Sequence, residues 1–89
     1  MNDAPEHRTH PQILLRLKRA EGHLKAVIGM MEAGRQCLDL AQQLHAVEAG
    51  LAGAKRELIH EHIEHCLKAS DASEASELLE ELKAISKYL

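Results

Sequence analysis

The chain has 89 residues, with Tyr88 as its one aromatic side chain and neither Trp nor Phe, so any core must be built from aliphatic residues and Met. A chain this short buries only about 60–65% of its unfolded surface, which excludes a large single-chain core and favours helix-on-helix packing completed by self-association. The net charge of −3 excludes a uniformly basic surface, and no apolar run approaches the roughly 20 residues that span a bilayer.

The N-terminal segment MNDAPEHRTHP contains no hydrophobic stretch of the signal-peptide kind. Residues 1–10 are expected to form a flexible arm, followed by a single helical domain over residues 11–89. Two cysteines outside a secretory context read as thiols in a reducing compartment, so the expected location is cytoplasmic.

A first helix is predicted from about Pro11 to Ala33, since Pro suits a helix start and Gly34 a helix stop. Its apolar positions Ile13, Leu17, Ala20, Leu24, Val27 and Met31 follow a 4-3-4-3-4 spacing, the seam of a helical bundle. Met30 and Met31 read as core filler. A second helix is predicted from about Gln36 to Leu67, with Cys37, Leu40, Leu44, Val47, Leu51, Ala54 and Leu58 continuing the same seam without a break in phase. His23 and His45 fall inside these helices near the seam and are expected to be packed or hydrogen-bonded.

The segment Lys68–Ser73 is the predicted linker to a short third helix ending at Leu89. Asp71 and Glu74 there have the spacing of a capping box, and Lys83 and Lys87 lie toward the C-terminal end, where the helix dipole favours cations. No stretch has the alternation of a strand, so the predicted class is all-α with a three-helix protomer.

Charge is unevenly distributed. Between Arg8 and Met31, the basic residues Arg8, Arg16, Lys18, Arg19 and Lys25 stand against Glu21 alone. From Glu57 onward eight acidic residues face only Lys68, Lys83 and Lys87. A locally basic first helix matters more to a polyanion than the total charge does.

The metal-capable residues concentrate in His60-Glu-His62-Ile-Glu-His65-Cys66. His62 and Cys66 are four residues apart and so share one helix face, the spacing by which one helix offers two ligands to one ion. Cys37 is the other thiol, and a soft or borderline metal favours it as well. In one straight helix it lies about 37 Å from His62, at 1.5 Å per residue.

Two arrangements bring these residues together. A second chain can pack its helix 2 antiparallel, crossing near Ala49-Gly50-Leu51-Ala52-Gly53, where small residues allow close approach. Alternatively, the chain can break at Gly50–Gly53 into a hairpin. The unbroken heptad phase from Leu40 to Leu58 opposes the break and favours the antiparallel dimer with two equivalent sites. No phosphate loop, nucleophile elbow or paired-carboxylate arrangement is present, so catalysis is not expected.

RLKRAEGHLKAVIGMME, then Cys37, then LDLAQQLHAVEAGLAGAKRELIHEHIEHC resembles the CsoR/RcnR family of bacterial metal-sensing transcriptional repressors, over nearly the whole chain from about His10 to Leu89. The resemblance implies an all-helical dimer of dimers that binds operator DNA without a helix-turn-helix and releases it when an inducer occupies a site shared by two chains. It places the metal ligands on Cys37 of one protomer with His62 and Cys66 of the other. It places DNA contacts on Arg16, Lys18, Arg19 and Arg56, together with Lys55. Operator DNA and further copies of the chain are the implied partners, with no membrane and no small organic substrate.

Formaldehyde-sensing members have Pro after the initiating Met, where this chain has Asn2, and persulfide-sensing members lack the equivalent of His62. A metal sensor remains. Two thiolates and one imidazole suit Cu(I), but copper-sensing members usually have Tyr where this chain has Gln36. Nickel- and cobalt-sensing members add an N-terminal His, for which His7 and His10 are the candidates, although an ungapped count puts that ligand nearer Pro5. The wider pattern looks closer to the nickel/cobalt regulators, so Ni(II) or Co(II) is the expected metal and Cu(I) the alternative. A metal-buffering protein without a DNA partner is the further alternative.

Overall fold

The computed structural model describes residues 10–89, and among them every regular element is helical: α1 (Pro11–Glu32), α2 (Cys37–Leu67), α3 (Ala72–Ile85) and a closing 3-10 turn (Ser86–Tyr88). The chain divides into two compact units that meet between Ala54 and Lys55.

Local chemistry sets the ends of α1. Pro11 occupies its first turn, and the carbonyl of His10 accepts the Leu14 N–H at 2.8 Å. His10 is the N-cap, held in the left-handed region at φ 50°, ψ 60°. At the other end Gly34 has φ 79°, and the Gly34 and Arg35 N–H groups donate to the Met31 and Met30 carbonyls, each at 3.1 Å. These are the paired bonds of a Schellman motif, which needs a residue without a Cβ clash at its left-handed position. The next helix opens as the Leu40 N–H returns to the Gln36 carbonyl, and Arg35 pairs with Asp39 at 3.2 Å. α2 then runs unbroken through Gly50 and Gly53, so the chain makes no hairpin there.

In the first unit the seam divides into two sets. Ile13, Ala20 and Val27 on α1 and Leu40, Val47 and Ala54 on α2 are buried, each set at seven-residue intervals. Val27, Leu40 and Val47 form a cluster against which Met30 packs. The alternate seam positions Leu17, Leu24, Met31, Leu44 and Leu51 are 41–56% exposed, so Met31 is not core filler. One chain provides each helix with one partner, which covers one of its two seam positions and leaves the other facing out. His45 is also outside the core, with an 86% exposed side chain 4.0 Å from Glu48. His23 is part-buried and bonded to Gln43 across the two helices at 2.7 Å.

In the second unit Ile59 on α2 and Leu78 on α3 are buried. Asp71 caps α3: its Oδ1 accepts the Glu74 N–H at 2.7 Å. Glu74 does not return to the N-cap's own N–H, as a strict capping box requires. Its Oε1 accepts instead from the N–H and hydroxyl of Ser70, at 3.0 and 3.2 Å. Asp71→Ala is expected to cost about 1 kcal/mol of stability, read as a lower urea midpoint.

Candidate functional site

The three residues on which the metal reading rests lie at the two ends of α2. Cys37 is its first residue and is exposed in the single chain. Cys66 is half-buried next to the helix's last residue, one turn beyond His62. Within the single chain, no three His, Cys, Asp or Glu side chains among the described residues converge as a metal site.

His62 is held firmly. Its side chain is 12% exposed and its Nε2 lies 2.9 Å from the Leu78 carbonyl oxygen on α3. A carbonyl only accepts, so Nε2 carries the ring proton. In the neutral ring this leaves Nδ1 as the nitrogen with a free lone pair, the form in which a histidine ligates. The Glu81 carboxylate lies 4.0 Å from that Nδ1. Neither partner has a sequence signal: a backbone carbonyl leaves no residue-type trace, and Glu81 is one acidic residue among many on α3. His65 faces Glu74, its Nε2 3.7 Å from Oε2, and His60 is exposed. The segment thus presents its histidines to different surroundings, and only His62 shares a face with Cys66. Two thiols and an imidazole are donor types that suit a soft metal.

Of the N-terminal candidates, His10 is fixed at the start of α1, while His7 lies outside the described residues.

Of the candidate DNA contacts, Arg16, Lys18 and Arg19 are exposed on α1, and Lys55 and Arg56 are exposed on α2 in the second unit. Arg16 and Arg19 line one cleft of about 210 Å³, whose walls do not include Lys18. The Arg16 guanidinium lies over α2, with Nη1 3.5 Å from where a Cβ on Gly53 would stand.

No described helix is long and apolar enough to cross a membrane. An all-helical protomer with soft-metal donors at the ends of one long helix and basic side chains along another has the make-up of a metal-responsive regulator. Residues 9–88 match the profile of the metal-sensitive transcriptional repressors, and the chain belongs to that family, a family of regulators and not of enzymes.

Among its relatives is the copper-sensing transcriptional repressor CsoR of Bacillus subtilis, 37% identical over 81 residues, covering 85% of this chain and 80% of that protein. The copper-sensing repressor CsoR of Mycobacterium ulcerans is 44% identical over 57 residues, 64% of this chain and 49% of its own. The copper-sensing repressor RicR of Mycobacterium tuberculosis is 35% identical over 52 residues, 58% and 54% respectively. The chain thus spans about half the length of these mycobacterial relatives. No solved structure matches it significantly.

Proposed function

We propose that this chain is a Cu(I)-responsive repressor: it binds operator DNA without metal and releases it when Cys37 of one protomer and His62 and Cys66 of another hold the ion. The observation that carries this reading is α2 itself. It runs unbroken from Cys37 to Leu67, with the two thiols at opposite ends, so the donor set is completed by a second copy. The outward seam positions supply a surface for that copy. Leu17, Leu24, Leu44 and Leu51 keep the bundle spacing yet are 41–47% exposed. An antiparallel α2 pair, assembling further as a dimer of dimers in the cytoplasm, covers them and generates two equivalent sites.

The expectation of Ni(II) or Co(II) gives way to Cu(I) for two reasons. The relatives named above are copper sensors, and two thiolates with one imidazole are a donor set for Cu(I). Gln36, in place of the usual Tyr, is the observation that keeps Ni(II) and Co(II) as the second reading.

Basic side chains on α1 and α2, Arg16, Lys18, Arg19, Lys55 and Arg56, are the proposed contacts to the DNA backbone, so affinity falls steeply with salt. Thiolate and imidazole donors bind best in one relative placement of two α2 helices, and the DNA-competent assembly holds them in another. The antagonism between ligands is then reciprocal, with a coupling typically of about 1–3 kcal/mol.

The test is fluorescence anisotropy of labelled DNA from upstream of the protein's own gene, titrated with apo protein and then with Cu(I), Ni(II) or Co(II). Release by Cu(I) is expected. Release by Ni(II) or Co(II) alone keeps the repressor and replaces the metal. Absence of apo binding at low salt, with metal still bound, leaves a metal-buffering protein.

A further inference from the structure

The cleft between α1 and α2 in the first unit gathers side chains from both helices. Arg16, Arg19 and His23 line it from α1, and Ala46, Val47 and Gly50 line it from α2. One wall carries two guanidinium groups, whose forked donors match phosphate oxygens, and the other is built from small side chains that let a tetrahedral group come close to the helix.

His23 stands at this cleft with its Nε2 2.7 Å from Gln43 Oε1, a bond between helices twenty residues apart in the chain. As the amide oxygen can only accept, the imidazole donates. The bond is part-buried, away from the full competition of water.

Position matters as much as composition. Around each helix the cleft residues lie to one side of the buried seam, and the exposed leucines lie to the other. Arg16, Arg19 and His23 flank Ala20 opposite Leu17 and Leu24; Ala46 and Gly50 flank Val47 opposite Leu44 and Leu51. A second copy docked on the leucines leaves the cleft facing solvent.

We propose that this cleft seats a single phosphate group of the DNA backbone, with Arg16 and Arg19 as its charged ligands and the His23–Gln43 bond as the contact that sets its width. The inference rests on the repressor reading and adds to it a defined phosphate seat and two positioning residues, His23 and Gln43.

The test uses the full chain and labelled duplex DNA at salt concentrations from about 50 to 200 mM, comparing wild type with His23→Leu, Gln43→Leu and His23→Gln. His23→Leu and Gln43→Leu are expected to weaken DNA binding about 5- to 10-fold and to make the salt slope shallower by about one, with helix content and metal affinity unchanged. His23→Gln, whose amide N–H can also donate to Gln43, is expected to recover most of the affinity. A purely structural role does not predict this rescue or a change in slope.

Wild-type affinity and slope in both leucine variants, together with a loss in Arg16→Gln, overturn the seat and leave the repressor standing. Failure of wild type itself to bind duplex at low salt overturns both. Should the leucine variants not fold, 1H–15N spectra of the wild-type Arg side chains and His23 ring decide. Shifts on adding duplex support the seat, shifts with pyrophosphate but not with duplex assign it to a free anion and overturn the backbone contact, and no shift with either overturns it outright.

Discussion

Cys37→Ala and Cys66→Ala are each expected to lower Cu(I) affinity by well over about 100-fold, since even groups that only orient a ligand are worth about 10- to 100-fold. Refolded together in equal amounts, the two inactive variants are expected to recover about one quarter of the wild-type metal capacity. In a two-fold dimer that shares its sites, half the dimers are mixed. Each mixed dimer has one site made of Cys37 from one chain with His62 and Cys66 from the other, and one site lacking both thiols. Equilibrium dialysis against a Cu(I) chelator measures the capacity directly. Recovery of nothing would mean that each site is built within one chain, contrary to the unbroken run of α2 from Cys37 to Leu67. Apo DNA binding by either variant should match wild type; its loss would mean that the thiols also support the DNA-competent shape.

The second large effect concerns DNA. Arg16→Gln combined with Arg56→Gln is expected to weaken operator binding about 100-fold at moderate salt and to lower the slope of log affinity against log salt by about two. Both side chains are exposed, and Arg56 is in the second unit, outside the α1/α2 cleft that Arg16 lines. Cu(I) affinity measured without DNA should be unchanged, because neither residue is a proposed ligand. A drop in metal affinity would show that the change had disturbed α2 and not a phosphate contact. Retention of full DNA affinity would point to a protein that handles metal without binding nucleic acid.

These two experiments test different links. The first asks whether the donors come from two chains, which depends on the antiparallel pairing of α2. The second asks whether the basic surface is used, which depends on electrostatics and leaves the pairing aside. The structure of the protomer bears on both through the outward leucines; their burial by a second copy, as proposed, would also stabilise the fold of a chain with few buried side chains of its own.

Much of this protein is legible from sequence because its signals are local. Helix limits follow from Pro11, Gly34 and Asp71, whose backbone preferences act within one turn, and the ends they set fall within a residue or two of those expected; α3 instead stops at Ile85, four residues short of the expected Leu89, and a 3-10 turn over Ser86–Tyr88 follows it. The seven-residue spacing reports which side chains share a face, and the i, i+4 relation of His62 and Cys66 follows from helix geometry alone.

What periodicity does not contain is which side of a seam meets the chain's own neighbouring helix. Leu24 and Val27 are equally apolar, yet Val27 is 2% exposed and Leu24 42%, because in the first unit α1 has α2 alone to pack against. For the same reason His45, expected to be packed or hydrogen-bonded near the seam, is exposed, while His23 is hydrogen-bonded as expected, to a partner, Gln43, that no spacing rule announces. The Leu78 carbonyl on His62 is of this kind too. By itself the sequence determined the helices, their caps and the residue types able to hold a soft metal, since those depend on neighbours along the chain. Only the tertiary structure decided which faces are covered, which histidine nitrogen is left with its lone pair, and that one cleft gathers Arg16, Arg19 and His23, because those depend on contacts between residues far apart in sequence.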